Sequence, residues 1–178
     1  SSTIPTTPTE CQLRRGLPVV LTSRYRDAMA TPPVTAEVDD EVAALLRKAD
    51  QRYTTGRRRL VAVLQTGDGP LTITQILAAD RSLAQSSVYR NLTILEEVGA
   101  VTRIVTRDDF ARYELAEHLT EHHHHLICSN CGDVADFSLD SRAEASLDRA
   151  LKRAAERVGF DVDTHRLDLL GNCADCPR

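Results

Sequence analysis

The sequence predicts an α+β chain. A winged helix-turn-helix over residues 37–116 precedes a small α/β domain over residues 117–178 that holds a four-cysteine zinc site. Three observations carry that reading. The apolar spacing across the first unit runs helix, short helix, capped helix, then hairpin. Two Cys-x-x-Cys pairs, Cys128 with Cys131 and Cys173 with Cys176, supply the four thiolates of a closed tetrahedral zinc site. Four consecutive histidines, His122, His123, His124 and His125, stand just before the first pair. A cysteine site that is already full has no room for them, so they point to a second metal.

The elements follow in order. Residues 1–36 are rich in Ser, Thr and Pro without sustained periodicity, and read as a flexible tail. Residues 38–49 place Val42, Leu45, Leu46 and Ala49 at helical spacing. A second helix contains residues 57–64 and ends at Gly67-Asp68-Gly69-Pro70. Thr72 or Thr74 can cap a short helix reaching Ala79. Ser86 and Ser87 are expected to cap a further helix with Val88, Leu92 and Leu95 on its buried stripe, stopped by Gly99. Strands are expected at 101–106 and 112–115, with a turn at 107–109. In the second half, strands are expected at 122–128, 134–139 and 162–170. A helix over 141–158 turns Leu147, Leu151, Ala154, Ala155 and Val158 inward.

Composition sets the class. The chain has 178 residues, no Trp and few aromatics, so Leu, Val, Ile and Ala must build its core. No apolar run reaches membrane-spanning length and no leader pattern opens the chain, which makes a soluble cytoplasmic protein the expectation. In a reducing compartment, paired Cys-x-x-Cys motifs read as metal sites rather than disulfides. Cys11 stands alone and is given no role. The net charge of -4 divides unevenly: residues 51–107 carry +4 and residues 108–178 carry -7. A locally basic unit can meet DNA despite the overall sign. The outer face of the Ser-rich helix carries Ser86, Tyr89, Arg90 and Thr93, groups suited to phosphates, base edges and a thymine methyl. Arg57, at a helix start, is expected to touch phosphate, and Arg52 joins the same basic surface.

On a strand, alternate side chains face opposite ways, so His122 and His124 separate from His123 and His125. Each pair can anchor its own site. Available partners are His165, Glu144, Asp148, His118, Glu117, Glu114 and Asp136. Mixed imidazole and carboxylate sets suit zinc, iron, nickel or manganese.

The Val-Tyr-Arg-Asn-Leu helix (residues 88–92), the His-rich run into His-Leu-Ile-Cys-x-x-Cys-Gly (125–132) and the last Cys-x-x-Cys resemble the ferric uptake regulator (Fur) family over residues 40–178. The resemblance implies a homodimeric, metal-dependent repressor of metal uptake or homeostasis genes. It would have an N-terminal winged helix, a C-terminal dimerisation domain and a palindromic DNA operator. It assigns Cys128, Cys131, Cys173 and Cys176 to structural zinc. It assigns His122, His124 and His165 to a site in the dimerisation domain. Counting back from His165 gives Asp148 as that site's acidic ligand, with Glu144 in reserve. His123 and His125 match a hinge regulatory site. The histidine that iron- and peroxide-responsive members add before the second helix falls near Pro70 and is missing. Zinc-responsive members use a Cys and an Asp instead; here those places hold His118 and Thr102. The implied hinge set is His118, His123, His125 and Glu117, with Glu114 as another candidate.

The expected function is therefore a non-enzymatic DNA-binding repressor holding structural zinc and a second, regulatory divalent metal, with zinc ahead of iron. An iron- or peroxide-responsive repressor is the alternative within the family. A zinc hydrolase and a zinc-storage protein are the rivals from other classes; no His-Glu-x-x-His motif supports the first.

Overall fold

The computed structural model describes residues 34–105 and 111–176. Most of the expected tail, Cys11 and the turn at 107–109 lie outside them. The described order is α1 (Ala36–Lys48), α2 (Thr55–Thr66), β1 (Leu71–Thr72), α3 (Ile73–Ala79), α4 (Gln85–Glu97), β2 (Val101–Val105) and β3 (Ala111–Leu115). A 3-10 turn (Glu117–Leu119) leads to β4 (His124–Cys128), β5 (Val134–Phe137), α5 (Ser141–Glu156) and β6 (Asp168–Gly171).

Periodicity explains the first half. Val38, Val42 and Leu46 recur every fourth residue on α1 and are buried. They meet Leu60, Val61 and Leu64 of α2, Ile76 of α3, and Val88, Leu92 and Leu95 of α4 in one apolar cluster. Val101, Tyr113 and Leu115 close it from the sheet β1-β3-β2, whose strand pairs are antiparallel. Burying each of the larger aliphatic side chains stabilises this unit by roughly 1.5–3 kcal/mol. Thr72 caps α3 through a reciprocal box with Gln75, choosing between the two expected threonines. Gly99 takes φ 78 after α4, a left-handed conformation that disfavours a side chain and turns the chain into β2.

One salt bridge fixes the angle between helices. Arg59 of α2 grips Asp80 at the end of α3 through Nε to Oδ2 at 2.7 Å and Nη2 to Oδ1 at 2.8 Å. Asp80 Oδ1 also accepts from the Ser82 amide and hydroxyl, so a single buried carboxylate shapes the turn into α4. The Arg59 guanidinium holds the Asp80 carboxyl down at about 2, against the burial that would raise it.

The second half is built around β4. Its sheet runs β5-β4-β6, with β5 antiparallel and β6 parallel to β4. The buried cluster here is Cys128, Cys131 and Cys176, with Cys173 against them.

Three expectations need correction. Ser86 and Ser87 do not cap α4: the helix begins at Gln85 after Ala84, and the Ser87 and Val88 amides both reach the Ala84 carbonyl. The two serines lie within its first turn. The last strand is four residues, because β4 offers only residues 125–128 to pair with it. The apolar stripe of α5 is covered only in part: Leu147 and Ala155 are half-buried, and Leu151 and Ala154 are exposed. No residue of α5 is buried, Val158 just beyond it is 80% exposed and Phe160 is 66% exposed. Leu126, Leu169 and Leu170 are also uncovered. No described helix is long and apolar enough to cross a membrane.

Candidate metal centres and nucleic-acid interface

The four expected cysteines come together. Gly132, at φ 69, lets the chain turn back after Cys131, and its amide bonds the Cys128 carbonyl at 2.8 Å. The parallel β4–β6 pairing then carries the far cysteines to the near ones, with the Ser129 amide on the Gly171 carbonyl at 2.6 Å. The ligand atoms of the four residues lie within 4.8 Å of one another. Cys131 Sγ and Cys173 Sγ are 3.8 Å apart, too far for a disulfide. Zinc–sulfur bonds of about 2.3 Å in a tetrahedron place neighbouring sulfurs about 3.8 Å apart, so the spacing suits the metal. Cys128 Sγ accepts the amides of Cys131 at 3.5 Å and Cys173 at 3.3 Å. Burial pushes the Cys128 thiol up, but these amide donors outweigh it and bring it down to about 6, favouring the thiolate that zinc takes.

The histidines divide in alternation as expected, although the expected strand over 122–128 begins only at His124, with His122 and His123 on the chain just before it. His122, His124, Glu144 and His165 form one group; Glu114, His123, His125 and Asp136 form another.

In the first group three Nε2 atoms converge on Glu144: His124 at 2.9 Å, His165 at 3.1 Å and His122 at 3.2 Å. The other nitrogens of His122 and His165 are turned away from it. His122 Nδ1 bonds Glu117, and His165 Nδ1 sits 3.0 Å from Asp148 Oδ1. His165 Nε2 is buried without a hydrogen bond, as is His124 Nδ1. An orphaned imidazole nitrogen aimed into such a group is a fit for a cation. The Glu144 carboxyl is lowered, chiefly by its hydrogen bond to His124. The preference for Asp148 is thus corrected. Glu144, in the first turn of α5, faces the strand; Asp148, one turn on, reaches only the outer edge of His165.

In the second group Glu114 Oε2 lies 3.1 Å from His125 Nε2 and 3.4 Å from His123 Nε2. Asp136 Oδ1 lies 3.9 Å from His125 Nε2. His123 Nδ1 bonds the Glu121 carbonyl at 2.9 Å. The expected set is corrected here too. His118 and Glu117 sit on the 3-10 turn, and Glu117 is drawn to His122. Glu114 comes instead from β3, where it pairs across the sheet with Thr102, the position noted as a poor ligand. Asp136 arrives because it is the register partner of His125 across β4–β5. No sequence spacing announces a register, though both residues were visible as possible partners.

The proposed DNA-facing residues are divided by the structure. Ser86, Tyr89, Arg90 and Thr93 are exposed on α4, with Tyr89 at 51%, and Arg52 is exposed beside α2. Arg57 is not available. It is 7% exposed, and its guanidinium donates to Asn91 Oδ1 at 3.3 Å, to Gln51 Oε1 at 3.3 Å and to the Arg52 carbonyl. It joins α2 to α4, a structural role that its charge conceals in the sequence.

A cysteine quartet, two histidine–carboxylate groups and a preceding helical unit therefore occur on one chain. The ferric uptake regulator family model matches residues 48–170. The chain belongs to the ferric uptake regulator family. Members of that family are metal-responsive transcription regulators. The peroxide-responsive repressor PerR of Staphylococcus epidermidis is 28% identical over 144 residues, spanning 79% of this chain and 90% of that protein. PerR of Staphylococcus aureus (strain USA300) is 28% identical over 145 residues, spanning 79% and 91%. Among solved structures, the Vibrio cholerae ferric uptake regulator superposes with a TM-score of 0.58 at 26% identity, covering 74% of this chain and 98% of that one. A zinc-bound manganese uptake regulator gives a TM-score of 0.53 at 27% identity, with coverage of 74% and 98%.

Proposed function

We propose that this protein is a metal-dependent, homodimeric DNA-binding repressor whose regulatory ion binds Glu114, His123, His125 and Asp136. One observation carries the reading: that group takes Glu114 from the first unit and its other members from the second. An ion held there ties the two units together. Without it, only protein–protein contacts set their relative pose, and a ligand that prefers one pose shifts the population toward it.

Residues 37–116 act as a winged helix-turn-helix, with α3 and α4 as its two helices and β2–β3 as the wing. Tyr89, Arg90, Ser86 and Thr93 meet a palindromic operator, and Arg52 meets its backbone. Residues 117–178 form the metal-binding dimerisation domain. The partly covered stripe of α5 and the exposed Leu126, Leu169 and Leu170 support this, since a second copy would cover them. Cys128, Cys131, Cys173 and Cys176 hold structural zinc. His122, His124, Glu144 and His165 hold a further ion within that domain, with Asp148 orienting His165 from outside. The cytoplasm is the compartment that suits such a repressor.

Zinc is the first reading for the regulatory ion, because divalent affinities at nitrogen and oxygen sites favour it over ferrous iron. Iron or manganese is the second, favoured by a specific observation. The group has two carboxylates where a nitrogen-richer set was expected, and harder ions accept oxygen more readily. The relatives named as peroxide-responsive repressors favour the iron- or peroxide-responsive alternative. The test is operator binding by protein that retains its cysteine zinc, titrated separately with buffered zinc, ferrous iron and manganese. Zinc alone restoring binding at sub-micromolar free ion supports the first reading. Restoration by iron or manganese with no effect of zinc replaces it with the second, and no restoration by any ion removes both.

A further inference from the structure

A third carboxylate reaches the hinge group without belonging to it. Asp168 is the partner of His125 in the parallel β4–β6 register, and the His125 amide bonds the Leu167 carbonyl at 3.2 Å. Asp168 Oδ1 accepts from His125 Nδ1 at 3.1 Å. Arg166 lies two residues earlier, on the same side of the extended chain. It donates Nε to the same Oδ1 at 3.1 Å and pairs Nη2 with Oδ2 at 3.0 Å. Asp168 is therefore held on both oxygens.

A neutral imidazole carries one N–H. When Asp168 accepts it at Nδ1, the lone pair of Nε2 is left free. That nitrogen is the one 3.1 Å from Glu114. The two imidazoles of the group are not equivalent: His123 gives its Nδ1 to a neutral backbone carbonyl, His125 to a charged carboxylate. The carboxylate is the stronger acceptor, so His125 becomes the stronger electron donor.

We propose that Asp168, clamped by Arg166, is a positioning residue that fixes the tautomer and ring direction of His125 and thereby strengthens the hinge metal site without touching the ion. This deepens the regulatory reading above and rests on it. It also links the strand that leads to Cys173 with the ion at the hinge.

The test uses the full chain with its cysteine zinc in place. Cobalt(II) is titrated against a chelator of known affinity and followed by its ligand-field absorption. A His123→Ala variant identifies the hinge step, and a Glu144→Gln variant identifies the other. Asp168→Asn can turn an NH2 toward Nδ1 and favour the wrong tautomer. Its hinge step is expected to weaken by about 10- to 100-fold with altered ligand-field bands. The Glu144-dependent step, the zinc content and the melting point of hinge-free protein should stay unchanged. Asp168→Glu, which keeps a carboxylate, should retain more affinity than Asp168→Asn. Arg166→Gln should cause a smaller loss, because the acceptor remains but is less restrained. A hinge affinity for Asp168→Asn within twofold of the parent, with the same bands, overturns the proposal. So does a loss matched by a fall in the hinge-free melting point, which would make Asp168 merely structural. A parent protein with no His123-dependent cobalt step overturns the metal reading itself, and this proposal with it.

Discussion

Replacing Cys128 by Ser tests how far the second half of the chain depends on zinc. The buried apolar cluster there consists of Cys128, Cys131 and Cys176, and no residue of α5 is buried. A single copy has little else to hold its parts together. Structural zinc contributes about 10–16 kcal/mol in small zinc domains, so one thiolate of four carries about 2.5–4 kcal/mol if shared equally. Cys128 is also the sulfur that accepts the amides of Cys131 and Cys173, and a shorter, harder oxygen serves both less well. The loss should therefore reach at least that range, enough to unfold a marginal domain. Zinc release is measured with a colorimetric chelator, and hydrogen exchange locates the damage. The expected result is about one zinc lost per chain. Protection should fall across residues 124–176 and be retained in α1 to α4, whose core is separate. A Cys128→Ser protein with full zinc content and unchanged protection of β4 and β6 would refute the assignment.

Other outcomes follow from the same geometry. Arg57→Ala should destabilise the first unit by about 2–3 kcal/mol, read by denaturant melting, because it removes a buried cation and strands its partners. Arg90→Ala should leave stability unchanged, weaken binding to all DNA sequences and reduce the salt slope by about one; equal behaviour of the two arginines would contradict the burial of Arg57. Glu144→Gln should abolish ion binding at the three-histidine group, whereas Asp148→Asn should weaken it by about tenfold, measured by competition with a chelator; the reverse order would restore Asp148 as the ligand. The Asp80 carboxyl is lowered from 3.8 to about 2 on folding, so its stabilisation is complete above pH 4 and is lost as pH falls toward 2. Its partner Arg59 is 42% exposed, so solvent screens part of the pair's contribution. Asp80→Asn should remove that part of the acid dependence of the melting point, and an unchanged profile would count against it.

The sequence made the elements and the clusters legible to different degrees. Val38, Val42 and Leu46, and Val88, Leu92 and Leu95, announce their helices because helical period and burial coincide. The cysteine quartet was legible because its chemistry requires four thiolates in pairs. The division of the four histidines was legible because alternation along an extended chain is local. The carboxylates were not fixed by such rules. Asp136 and Asp168 flank His125 only through strand register, and Glu114 comes from another sheet. Glu144 and Asp148 share a helix face at i and i+4, so sequence could not choose between them. Only the docking of α5 brings Glu144 to His122, His124 and His165. Arg57 misled because a cation at a helix start resembles a phosphate ligand until its own contacts are seen.

The measurement that tests the central claim most directly is operator affinity with and without an ion at the hinge group, in protein that keeps its cysteine zinc. Fluorescence anisotropy at one fixed salt concentration suffices, with His123→Ala as the control. If the ion couples Glu114 of the first unit to His123, His125 and Asp136 of the second, loading should tighten binding by about 5- to 150-fold, the usual range for one coupled site. His123→Ala should remain at the weak level whatever the metal, with its cysteine zinc intact. Equal affinity in the loaded and unloaded parent, or a full response in His123→Ala, would contradict the account.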